Sequence, residues 1–197
     1  MRPPVCFYPF FPLASEKICL GPGTLLLAEP FMQDPLFGRA VVLLCQHDDD
    51  GSFGFIINKP VESPFAEGDD HPLAGFPFYS GGPMDNHSVF FVHQLSALKE
   101  AIPLQDGFFW QGDYDELLDA IENHEVTEKN FRLILGYSGW GAGQLEEELE
   151  KGFWMVNNGP LDYILETEAA HLWKEILQRM GPYFKMVSNF PSDPTLN

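Results

Sequence analysis

One stretch restricts the fold more than any other. Residues 135–146 run Leu135, Gly136, Tyr137, Ser138, Gly139, Trp140, Gly141, Ala142, Gly143, Gln144, Leu145, Glu146, between an apolar run and a helical pattern. Four glycines where a strand gives way to a helix mean that backbone rather than side chain shapes the corner. Such a corner can cradle an anion, expose a nucleophile, or let two elements pack closely.

Each chemical option has a motif, and each motif fails here. Gly136-Tyr137-Ser138-Gly139 matches the first four places of a nucleophile elbow, but Trp140 stands where its second fixed glycine belongs. No Gly-Lys-Ser/Thr follows, so this is not a P-loop, and Gln144 breaks a dinucleotide-binding glycine pattern. Glu146, Glu147, Glu148 and Glu150 crowd the first turns of the next helix, where they complement its dipole without a bound anion. The simplest reading is tight packing of a strand-helix corner under Trp140. A hydrolase using Ser138 is the alternative; it needs an exposed serine within reach of a base such as His93.

Two other turns are rich in the same residue types: Gly81-Gly82-Pro83 after Ser80, and Asn58-Lys59-Pro60. They bear on binding only if they converge with the first. The candidate ligand-binding set is therefore Asn58, Gly81, Gly82, Ser138, Gly139, Trp140, Gly141, Gly143 and Gln144. Histidines 47, 71, 87, 93, 124 and 171 show no metal-ligand spacing. His47 beside Asp48–Asp50 reads as a solvated turn. No metal site and no cofactor is expected.

Along the chain, residues 1–21 read as an irregular arm whose Phe7, Phe10 and Phe11 can pack on the domain or a neighbour. Strands are expected at Thr24–Ala28, Arg39–Gln46, Ser52–Asn58, Phe76–Ser80, Ser88–His93, Phe108–Gln111, Phe131–Tyr137 and Phe153–Asn157. Val41 to Leu44 are apolar in succession, which implies burial on both faces. Asp48-Asp49-Asp50-Gly51 reads as a hairpin with an Asp-Gly turn. Residues 59–74 form a long loop with room for a short helix.

Helices are expected from Asp113, with Glu116 completing a capping box, at Gly143–Lys151, and from about Thr167 to Gly181-Pro182. Residues 186–197 read as a polar tail. One domain, 22–185, is the economical partition of 197 residues.

The net charge of −18, with Lys and Arg scattered singly, disfavours direct contact with nucleic acid or anionic membranes. No stretch approaches the ~20 apolar residues of a membrane-spanning helix. Cys6, Cys19 and Cys45 form no CxxC pair, and the odd count fits a reducing cytosol, so a cytoplasmic location is expected.

Taken in order, these segments resemble the bacterial AlgH/YqgE family. The matching pieces are Gly23–Ala28, Pro30 with Asp34-Pro35-Leu36-Phe37, Arg39–Leu44, Gly54–Pro60, Gly81-Gly82-Pro83, Gly136–Trp140 with Gly143–Glu146, and Trp154. Lys59 stands where many members are expected to carry Arg. The resemblance implies an α/β (or α+β) fold: a strongly coiled, partly barrel-like mixed sheet flanked by helices. It implies no set reaction. One family name comes from a proposed regulator of alginate synthesis, yet the family has no recognised DNA-binding motif, and no helix-turn-helix is visible here. The expected function is therefore non-catalytic binding of a protein or small-molecule partner, with the Ser138 hydrolase and a transcriptional regulator as alternatives.

Overall fold

The computed structural model describes residues 6–7, 18–66 and 68–191. The reading of Phe7, Phe10 and Phe11 as packing residues, and the end of the expected polar tail, lie outside what is described. In chain order the strands are β1 (Cys6–Phe7), β2 (Ile18–Cys19), β3 (Leu25–Ala28), β4 (Val41–Asp48), β5 (Gly51–Ile56), β6 (Pro60–Val61), β7 (Phe78–Ser80), β8 (Met84–His93), β9 (Ile102–Pro103) and β10 (Phe109–Trp110). Helix α1 (Tyr114–Glu122) leads to β11 (Phe131–Gly141), α2 (Gln144–Glu150), β12 (Trp154–Asn157), α3 (Ala169–Arg179) and α4 (Pro182–Val187).

Ten strands form one sheet, ordered β12-β3-β4-β5-β11-β8-β10-β9, with β7 alongside β11 and β6 alongside β7. Only the β7–β11 pairing is parallel in this sheet, so it is mixed, and it stays open, with β12 and β9 at the ends of the strand order. Strand β11 serves two halves of the sheet. Phe131 to Leu135 pair with β8, and Leu133 to Leu135 also pair with β7; Ser138 to Gly141 then pair with β5. The register shifts between Leu135 and Tyr137, at Gly136, whose φ of +70° favours glycine. This bulge coils the sheet.

The continuous apolar run in β4 is buried on both sides, as its sequence implies. Val41, Leu43 and Cys45 enter one core with Leu172, Trp173, Ile176 and Leu177 of α3. Val42 and Leu44 enter another with Trp140, Trp154 and Leu145 and Leu149 of α2. A third core gathers Phe78, Phe91, Phe131 and Leu133 against Leu117 of α1. Burial also pushes the Cys45 thiol well above its ordinary pKa.

Several local readings change. The hairpin loop is Asp49-Asp50, because Gly51 already pairs with Asp48 in the ladder. Asp113 caps α1, accepting from Glu116 N at 3.0 Å. The capping box stays half made, because Glu116 instead accepts from Lys99 N at 2.9 Å and pairs with the Lys99 ammonium. Residues 62–76 hold turns and no helix among those described. Gly181-Pro182 stops α3, but Pro182 sits in the first turn of α4, where its missing N–H costs nothing. The expected tail is partly built into the fold: Val187 is buried in the main core and Phe190 packs against it.

Cys19 is disulfide-bonded, and the β1–β2 register places it opposite Cys6. The cysteine pattern therefore no longer argues by itself for a reducing compartment. No helix of the described residues is long and apolar enough to cross a membrane.

Candidate functional site

The glycine-rich stretch is more strand than elbow. Ser138, Gly139, Trp140 and Gly141 lie opposite Gly54, Phe53, Ser52 and Gly51 in the β11–β5 ladder. Ser138 is 1% exposed, and its hydroxyl donates to Gly81 O at 3.0 Å. Gly81 O also accepts from Ile56 N at 2.9 Å, and Gly81 N donates to Leu135 O at 2.7 Å. A Cβ on Gly81 would strike the Gly136 carbonyl, and one on Gly82 would strike Ser138 and the Tyr137 backbone. The two Gly-rich turns thus converge as backbone against backbone.

Asn58 is engaged by the backbone leading into β4. Its Oδ1 accepts from Val41 N at 2.8 Å and its Nδ2 donates to Arg39 O at 3.0 Å. Ser80 N donates to Lys59 O at 2.8 Å. The buried amide therefore bridges β4 and the end of β5 instead of facing a ligand. Lys59 Nζ donates to Gly38 O at 2.6 Å, and burial, then the nearby Arg39 charge, lower its pKa.

Trp140, Gly141, Gly143 and Gln144 belong to a separate cluster around α2. Glu148 Oε2 accepts from both indoles, Trp140 Nε1 at 2.8 Å and Trp154 Nε1 at 2.7 Å. The two rings meet edge to face with centroids 5.9 Å apart. Gln144 Oε1 accepts from Gly141 N at 3.1 Å and its Nε2 donates to Glu148 Oε1 at 2.9 Å. Gly143, at φ +75°, turns the chain into α2. Gly139, Gly141, Gly143 and Gln144 are exposed. Among the described residues, Gly81, Gly82 and Ser138 form one cluster and Trp140, Gly141, Gly143 and Gln144 a separate one. Asn58 bonds the backbone leading into β4, and Gly139 stands exposed opposite Phe53.

Ser138 and His93 do not form a nucleophile–base pair. His93 lies opposite Phe131 in the β8–β11 ladder, seven residues from Ser138, a separation on the order of 20 Å at the usual strand rise. Its Nε2 lies 2.8 Å from Gln111 O and its Nδ1 accepts from Leu95 N at 3.1 Å. Those contacts assign the neutral Nε2–H tautomer, and burial lowers its pKa despite the Gln111 bond.

A serine–histidine contact occurs elsewhere. His47 Nδ1 lies 2.8 Å from Ser52 Oγ, and its Nε2 lies 3.7 Å from Glu146 Oε1. The His47 side chain is 1% exposed, so it does not belong to the solvated acidic turn beside it. The signal was present in the hairpin count: a two-residue loop at Asp49-Asp50 sets His47 opposite Ser52.

One open feature among the described residues is a cleft of about 880 Å³ between Pro60, Tyr79, Arg132 and the start of α3. Arg132 is 5% exposed. Its Nη1 donates to Ile57 O at 2.7 Å and its Nη2 to Leu165 O at 3.5 Å, which engages two of the five N–H donors of a guanidinium. The guanidinium lies 4.5 Å from the Tyr79 ring centroid. No ion pair among the described residues includes Arg132, and burial lowers its pKa. Sequence reasoning passed over it because a lone arginine in an apolar strand carries no motif. Among the described residues no group of three His, Cys, Asp or Glu side chains is placed to hold a metal ion.

Fold and site together define a one-domain α/β protein: an open coiled sheet, a glycine-rich corner in which Ser138 and Trp140 are buried, and a cleft beside its third helix. The AlgH-like family model matches residues 25–185, and the chain belongs to that family. It is 38% identical over 191 residues to a UPF0301 protein of Chlorobium limicola, covering 94% of this chain and all of that one. A UPF0301 protein of Bacteroides thetaiotaomicron is 34% identical over 189 residues, covering 95% and 96%. Among solved structures, the solution structure of AlgH from Pseudomonas aeruginosa superposes with TM-score 0.66 at 25% identity, covering 87% of this chain and 94% of that one. A crystal structure of a Corynebacterium diphtheriae protein shares the fold at TM-score 0.70 and 21% identity, covering 87% and 93%.

Proposed function

We propose that the chain is a non-catalytic binding protein of the bacterial cytoplasm that takes a small-molecule ligand in the cleft between Tyr79, Arg132 and the start of α3. The observation that carries this reading is Arg132, a nearly buried cation in no ion pair among the described residues, at the wall of the open cleft. The polar groups of Ser138 and Asn58, by contrast, are engaged by the fold itself. A regulatory role would act through another protein, since a charge of −18 opposes direct DNA binding. The test is a thermal-shift screen of a metabolite library against the native chain and Ala170→Trp, an exposed position at the cleft. Ligands that raise the melting temperature of the native chain only are expected. Hits equally strong in both proteins would remove the cleft from the reading.

A hydrolase is the second reading, and its serine moves from Ser138 to Ser52, which has the imidazole contact. Turnover of p-nitrophenyl acetate that is lost in Ser52→Ala and kept in Ser138→Ala would establish it. Equal background rates in all three proteins would dismiss it.

A further inference from the structure

We infer that the cleft recognises a monocarboxylate ligand with an apolar body, its carboxylate held by Arg132. This rests on the reading that the cleft is the binding site, and adds the chemistry of what enters it. A buried guanidinium with carbonyls on two donors still presents planar donors, and a carboxylate satisfies such a fork two bonds at a time. Arg132 makes no ion pair among the described residues; its charge is met by two carbonyl dipoles, the Tyr79 face and the more distant Glu128. In a chain with 29 acidic and 11 basic side chains, a cation so placed without a carboxylate in ion-pair contact among the described residues is conspicuous.

The surroundings narrow the anion. Glu128, Glu166 and Glu168 stand on the cleft wall with Lys129. Glu128 acts on the Arg132 charge from a distance, and the other two add negative field. A phosphate dianion would meet that field with its second charge, whereas a monoanion places one charge on the guanidinium. The rest of the wall includes Pro60, Pro77, Phe131, Leu165 and Ala169, which suits an aliphatic or aromatic body.

The experiment is an NMR titration of the full chain with 4-methylpentanoate, 4-methylpentanamide and inorganic phosphate, following the Arg132 Nε–H signal and the amides of Tyr79, Thr167 and Ala170. The carboxylate is expected to shift these signals in a saturable way, and to bind at least ten-fold more tightly than the amide or phosphate. Arg132→Gln should lose that preference. Because Arg132 also bonds Ile57 O, Arg132→Lys serves as the folded control, keeping the charge and losing the fork; it should weaken the carboxylate by about ten-fold. Amide binding equal to carboxylate, tighter phosphate, or no saturable shift with the carboxylate overturns the inference. If library hits lose binding in Ala170→Trp while no carboxylate binds, the cleft stands and the carboxylate chemistry fails. If Ala170→Trp affects no ligand, the cleft itself fails.

Discussion

Ser138 shows how a residue that looks reactive in sequence can be structural in place. Its hydroxyl bonds Gly81 O, which already accepts from Ile56 N. Ser138→Ala therefore leaves no acceptor stranded, and is expected to cost about 1 kcal/mol by chemical denaturation. Gly82→Ala should cost more, about 2 kcal/mol or above, because φ is +148° and its Cβ would meet the Tyr137 backbone. Glu148 is the heavier anchor. Glu148→Ala leaves two indole N–H groups without their acceptor, and is expected to cost about 3 kcal/mol with a change in tryptophan fluorescence. A Glu148→Ala melting curve indistinguishable from the native one would refute this role. His93 contributes a pH dependence. Its folded pKa lies below the ordinary value near 6.5, so under acid the unfolded chain binds the extra proton first. Its contribution is present above about pH 6.5 and is lost as pH falls through that value toward the folded pKa. His93→Gln should flatten the acid limb of melting temperature between pH 7 and 5.

At the scale of elements, much of the fold was legible. Apolar runs in β4 and β11, the Asp113 cap and the stripe of α3 each carry a local signal strong enough to survive folding. Asp113→Ala should cost about 1 kcal/mol through loss of the bond from Glu116 N. What misled was punctuation. Glycines in residues 136–143 read as the end of a strand, yet β11 runs on to Gly141, where Gly51 on β5 leaves room for the Trp140 backbone. Gly181-Pro182 read as a stop, which it is for α3, but the same proline opens α4. The candidate site was less legible. Whether the Gly-rich turns converge was open in the sequence; Gly81 and Ser138 meet as a packed node, while the Asn58 amide bonds Val41 and Arg39. Arg132 was invisible because its importance lies in the absence of a partner, and absence requires three dimensions to see.

For the whole molecule, the charge of −18 and the open coiled sheet set the terms. Gel shifts at low salt should show no direct DNA binding, and retention of DNA under those conditions would contradict the charge argument. The central claim is that binding resides in the cleft at the start of α3 and not at the glycine-rich corner. The most direct measurement compares ligand-induced melting shifts in the native chain, Ser138→Ala and Ala170→Trp under one ligand set. The account predicts that Ser138→Ala keeps every native response and Ala170→Trp loses them. Responses lost in Ser138→Ala and kept in Ala170→Trp would contradict it.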